Sequence, residues 1–204
     1  MVESELRSFN FFRYYLLSNF YSLLFPSTVA VDFYKFNVNK NVLKMSKKDS
    51  FKTIVIERAL GLIVLLLFMS TFLVIEDTAI KNGYTQIIYL INICLITIIF
   101  FLKKFKETFI TFIIFVFEFI LNYLIFLYFE IDLSFFEIGI IVFVSYLVVI
   151  LPISFMGFGI REFAYVNTLS IFGADVFVGF TVALVVNLIK LITNLSGVFF
   201  KYEK

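Results

Sequence analysis

Hydrophobic positions in this chain do not alternate with polar ones; they run on. Four runs are long enough to cross a bilayer: FKTIVIERALGLIVLLLFMSTFLVI (51–75), YTQIIYLINICLITIIFFL (84–102), TFITFIIFVFEFILNYLIFLYF (108–129) and VFVGFTVALVVNLIKLITNLSGVFF (176–200). At about 1.5 Å per residue, even Ile54 to Ile75 covers roughly 33 Å, enough for the hydrocarbon core. Continuous runs argue against a β-barrel, whose strands alternate apolar with polar. Two shorter apolar stretches, 9–25 and 135–151, each end at one of the chain's only two prolines, Pro26 and Pro152. The pattern predicts an all-α, polytopic helical membrane protein with about four full spans and two proline-broken or re-entrant helical elements. It reads as a single integral membrane domain over 1–204. Residues 6–75 hold the first proline element and its following helix, 84–129 two middle helices, and 135–200 the second proline element and the last helix.

Composition points the same way. Of the 204 residues 62% are hydrophobic, more than a soluble domain of this length could hide, so the excess faces lipid. There is no histidine and one cysteine, Cys94. No His-ligated metal site, serine–histidine nucleophile or intrachain disulfide is therefore expected. The opening MVESELR is acidic, and no cleavable signal peptide is read there. The 31 phenylalanines read as lipid-facing filler.

Loop charges orient the spans. Segment 35–52 carries Lys35, Lys40, Lys44, Lys47, Lys48 and Lys52 against Asp49 alone, and KKFKE (103–107) is basic again. EDTAIKNG (76–83) and EIDLSFFE (130–137) are acidic. The expectation is that 35–52, 103–107 and the C-terminal KYEK are cytoplasmic. Residues 135–175 then enter from outside and return there, as two short spans or as one re-entrant hairpin. The 35–52 loop reads first as this topological signal and second as a contact for anionic headgroups.

The two proline elements echo each other. LLFPSTVAVDFYKF places Pro26 ahead of Asp32 and Lys35; LPISFMGFGIREF places Pro152 ahead of Gly157, Gly159, Arg161 and Glu162. In both, a basic residue lies nine positions after the proline. Each is followed by a long helix with polar residues inside it, Glu57 and Arg58 in one, Asn187, Lys190 and Asn194 in the other. The second helix would run opposite to the first, the arrangement of inverted repeats with broken helices. The plainer alternative is that two prolines mark loop boundaries.

Charges inside a span usually face the bundle interior or a wet cavity. Glu118 is mid-span, on one helical face with Thr111 and Asn122. It serves either as structural partner to Arg161 or Lys190 or as a substrate contact. Gly179, Ala183, Asn187, Lys190, Asn194 and Gly197 form a stripe of small and polar residues, read as helix packing ahead of groove lining. Arg58 sits where it could snorkel to an interface. In the second proline element the proline stops a helix, the glycines allow a tight turn, and a new half-helix presents its amides beside Arg161. Amides plus a guanidinium suit a phosphate, and in a membrane the obvious one is a lipid phosphate.

Residues 151–200 resemble the C-terminal signature of the lysylphosphatidylglycerol synthase transmembrane-region family, also called flippase-like membrane proteins. That signature reads approximately LPIS-x-GG-x-G-x-REG followed by a G-x-x-x-x-x-A helix. FPSTVAVDFYK (25–35) is similar to the family's earlier proline and GGD-x-x-R motif, and IVIERALGLIVLL (54–66) to its ER-containing helix. Ala30 and Val31 replace two glycines, Lys35 an arginine, and Met156 a glycine. Relatives usually carry further N-terminal helices, so a shortened member or a fragment is expected. The soluble aminoacyl-transferase domain of fused relatives is absent, so transfer chemistry is not expected.

The resemblance implies lipid handling in the cell membrane: moving an anionic phospholipid or lipid-linked glycan precursor between leaflets. Arg161 and Lys35, with Gly157 and Gly159, are the candidate phosphate contacts. Asp32, Glu57, Arg58, Glu118, Glu162, Asn187, Lys190 and Asn194 are the candidate polar-cavity residues. No catalytic residue, metal or cofactor is assigned. Membrane lipids are the expected partners and nucleic acid is not. Two alternatives stand beside this: a membrane-embedded lipid or polyprenyl-phosphate transferase using Glu118, Asp32 or Glu162 as base, and an accessory scaffold for a separate synthase or glycosyltransferase.

Overall fold

A computed structural model describes residues 8–23, 29–41, 43–75, 85–150 and 157–199. Pro26, Pro152, Met156, the acidic 76–83 loop and the terminal KYEK lie outside them. Every regular element among the described residues is helical: α1 (Ser8–Tyr21), α2 (Val29–Asn41), α3 (Lys47–Ile75), α4 (Thr85–Leu102), α5 (Phe105–Tyr128), α6 (Phe135–Val149), α7 (Ile160–Ile171), α8 (Val176–Leu195) and a closing 3₁₀ turn (Ser196–Phe199). By length and composition, Lys47–Val74, Phe105–Tyr128 and Val176–Phe199 can each cross a membrane. The remaining expected span is present as the 18-residue α4, apolar but shorter. The all-α polytopic membrane architecture read from the sequence is the one observed.

Local chemistry sets the helix ends. Ser134 and Glu137 form a reciprocal capping box at α6: Glu137 N–H donates to Ser134 Oγ at 3.1 Å, and Ser134 N–H donates to Glu137 Oε2 at 2.7 Å. Each bond satisfies an amide that the helix itself leaves open. Asp175 Oδ1 accepts from Phe177 N–H at 2.9 Å at the start of α8, the same device with one carboxylate. α7 ends in a Schellman turn, with Gly173 at φ 74 and the Ala174 N–H reaching back to the Leu169 carbonyl at 3.2 Å.

The structure divides into two compact units. The first draws on 1–56, 149–159 and 184–204, the second on 57–148 and 160–183.

In the second unit, aromatic rings lock α3, α5 and α6 together. Phe72 of α3 lies 5.4 Å from Phe119, 5.5 Å from Phe143 and 5.8 Å from both Phe135 and Phe136, ring centre to ring centre. Gly139 makes this possible, because a Cβ there would lie 1.9 Å from the Phe72 ring. The pairings also fix directions. Along α6, Phe135 meets Tyr123 while Tyr146 meets Phe115, so α6 runs antiparallel to α5. Along α7, Arg161 lies by Tyr146 and Tyr165 by Phe126, so α7 turns back alongside α5. α6 and α7 therefore run antiparallel to each other. Over their described residues they are 15 and 12 residues long, about 22 and 18 Å of helix against a hydrocarbon core of roughly 30 Å. Ile138, Gly139, Ile140, Ile141, Val142 and Phe143 are consecutively buried, whereas α4 and α5 expose isoleucine and phenylalanine along most of their length.

The first unit holds a second hairpin. Tyr21 stacks on Tyr34 at 4.4 Å and the Tyr14 hydroxyl reaches Asn39 Oδ1 at 3.5 Å, so α1 and α2 are antiparallel. Gly197 of the 3₁₀ turn packs on α1, where a Cβ would lie 2.5 Å from the Leu16 carbonyl oxygen.

Candidate functional site

The second unit gathers its polar groups at one level. Glu118 of α5 accepts a short hydrogen bond from the Tyr146 hydroxyl of α6. The other side of this link is cationic: the Arg161 guanidinium of α7 lies over the Tyr146 ring, 5.8 Å from its centre, within cation–π range. One turn further along, Asn122 Oδ1 accepts from the Tyr165 hydroxyl at 2.5 Å, while Asn122 Nδ2 donates to the Glu118 carbonyl at 2.7 Å. Arg161 is 2% exposed, Glu162 6% and Asn122 fully buried. A base, an acid, two tyrosines and an amide thus share one cluster, and Glu162, next to Arg161 in sequence, is buried as well. In a low-dielectric interior such groups persist only when linked.

Arg161 owes its position to the turn before it. Gly157 and Gly159 have φ of 87° and 80°, a left-handed conformation that side-chain-bearing residues adopt only at a cost. These two residues delay the start of α7 until Ile160, so Arg161 falls in the first helical turn, where backbone amides have no intrahelical acceptor. A guanidinium at a helix N-terminus is chemically suited to a tetrahedral oxyanion.

In the first unit, Lys35 is 8% exposed and its Nζ lies over the Tyr15 ring, 4.7 Å from the centre. Asp32 is in the first turn of the same helix. Asn187 is buried, and Lys190 and Asn194, further along α8, are half-buried. Glu57 and Arg58 fall in the second unit on α3, Glu57 half-buried and Arg58 exposed.

The structure thus brings Glu118 and Arg161 together through Tyr146, a residue that the sequence reading did not single out. It also missed Tyr165, four residues after Arg161 and so on the same face of α7. The available signal was the tyrosines themselves, because a hydroxyl in an apolar helix needs a partner. Thr111 does not join the cluster; its hydroxyl donates to the Glu107 carbonyl at 2.9 Å. At both ends of the small-residue stripe packing explains the glycines, since a Cβ on Gly179 would meet Leu169 Cδ1 at 2.6 Å.

Residues 106–197 match the model of the family Lysylphosphatidylglycerol synthase TM region. The resemblance seen in the sequence therefore holds over the stretch containing α6, α7 and the cluster around Arg161. The Pro26 element and the ER-containing helix precede that stretch. No curated protein and no solved structure gives a significant match.

Proposed function

Taking the family region at residues 106–197 as premise, we propose that this integral membrane protein handles an anionic phospholipid or lipid-linked glycan precursor in the manner of a flippase. One observation carries the reading. A buried arginine occupies the first turn of the short helix α7, behind two left-handed glycines and over the ring of Tyr146. In this reading the lipid phosphate takes bidentate hydrogen bonds from Arg161 and further ones from the adjacent amides. Glu118, through the Tyr146 hydroxyl, holds the ring that supports the guanidinium. The acyl chains remain in lipid, so only the headgroup has to be desolvated. In the same reading Lys35 offers a second phosphate contact, and the basic segments 35–52 and 103–107 face the cytoplasm across the cell membrane.

The test is translocation of fluorescent phosphatidylglycerol in reconstituted vesicles. The expected result is faster exchange between leaflets than in protein-free vesicles, lost on Arg161→Ala. A rate equal to that of empty vesicles, or an Arg161→Ala variant that is fully active, would end the proposal.

A further inference from the structure

α3 is longer than the layer it crosses. Its 29 residues make about 43 Å of helix, against a hydrocarbon core of roughly 30 Å. The excess lies at the N-terminal end, because the run from Ile54 to Ile75 is apolar but for Glu57 and Arg58 and is long enough to fill the core, whereas Lys47–Thr53 reads KKDSFKT. These first two turns therefore stand in the headgroup layer.

Their faces are sorted. Ser50 and Ile54 point into the first unit and are buried, with the Ser50 hydroxyl directed at the Phe36 carbonyl, 3.4 Å away. Lys47, Lys48 and Lys52 are exposed, as are Lys40 at the end of α2 and Lys44 in the connection. Phe51 is 64% and Val55 47% exposed on the same outer side. The one acid in the segment, Asp49, is turned to the helix start: its Oδ2 accepts from Ser46 Oγ at 2.6 Å and its N–H donates back to that oxygen at 3.1 Å. Its charge offsets the open amides of the first turn instead of the lysines. Five exposed lysines and two exposed apolar side chains thus fall within one short segment, residues 40–55.

We propose that this face binds the headgroups of anionic phospholipids in the leaflet at the Lys47 end of α3, as a contact separate from the Arg161 site. Lysine stems run along Phe51 and Val55 while the ammonium groups reach the phosphate layer. Each lysine near an anionic surface is worth roughly fivefold in association. Because the groups are exposed, the attraction is screened by salt, the Debye length falling to about 3 Å at 1 M. A phosphate held by the buried Arg161 is screened far less.

The difference gives the test. The full chain is reconstituted in phosphatidylcholine vesicles, and its association with spin-labelled phosphatidylglycerol is compared with that of spin-labelled phosphatidylcholine. A preference for phosphatidylglycerol is expected at low salt, collapsing towards equality at 1 M. Replacing Lys40, Lys44, Lys47, Lys48 and Lys52 together by Gln should remove this salt-sensitive preference. The pair Lys47→Gln and Lys48→Gln should remove part of it, which keeps the test available if the fivefold variant is poorly produced. Arg161→Ala should leave the salt-sensitive part of the preference in place, so loss of translocation and loss of that part report on different sites. A salt-sensitive part that survives the lysine replacements, or a preference with no salt-sensitive part, overturns the proposal.

Discussion

The α1–α2 and α6–α7 hairpins have nearly the same dimensions and differ at the turn. Their arms are 14 and 13 residues in one and 15 and 12 in the other. Each carries a buried cation on its returning arm, nine residues after a proline, above a tyrosine ring of its entering arm. In the first hairpin, however, Ala30 and Val31 are already helical, so Lys35 lies in the second turn of α2. In the second, Gly157 and Gly159 hold the chain in the left-handed region until Ile160, and Arg161 lies in the first turn of α7. Equal spacing from the proline therefore gives different chemistry. Lys35 lies inside its helix, whereas Arg161 lies at a helix N-terminus, the end whose dipole favours an anion.

The largest expected effect separates the two cations. Arg161→Ala should lower phosphatidylglycerol translocation by about 10- to 100-fold, the range for loss of hydrogen bonds to a charged group. Lys35→Ala, measured in the same vesicles, should lower it by less than about fivefold; equal losses would mean that the turn does not distinguish the hairpins. Next is the network found only around the second hairpin. Tyr165→Phe leaves the buried Asn122 oxygen without its donor and should cost about 1–3 kcal/mol, read as a lower melting temperature in detergent. Gly159→Ala should follow at about 1–2 kcal/mol. Among the described residues no atom lies within 4 Å of the added methyl, so the loss would come from backbone conformation. Ala30→Gly, inside α2, should destabilise by about 1 kcal/mol through helix propensity alone without raising translocation. The smallest of the destabilising effects is expected for Tyr15→Leu, which keeps apolar bulk beneath Lys35 but removes the ring, about 1 kcal/mol.

What was legible in the sequence follows from how strongly each feature is written there. The long spans declare themselves because lipid tolerates little else along 20 residues. Arg161, Gly157 and Gly159 stood out because charge and left-handed glycine are rare in such surroundings. The choice between two short spans and a re-entrant hairpin was not legible, because FFEIGIIVFVSYLVV is apolar all round and has no face that reveals its neighbours. What the structure adds is the direction of each arm, fixed by the ring contacts and by the pairing of Tyr146 with Glu118 and of Tyr165 with Asn122. Tyr146 itself was hidden by its type. A tyrosine among so many aromatics draws no notice until its hydroxyl is seen to lie on the single carboxylate of α5's middle turns.

The Phe72 ring bears on motion as well as on packing. With four other rings around it and the backbone of Gly139 directly against it, it acts as a key in a keyway. α6 can neither slide along α3 nor turn about its own axis without driving main chain into the ring. The two helices are then one mechanical part, and under the proposed function a transport stroke would carry them as a rigid lever. Spin labels placed on α3 and α6 are accordingly expected to keep one separation whether or not lipid is being moved, while a separation that changes with turnover would show the lever to be jointed.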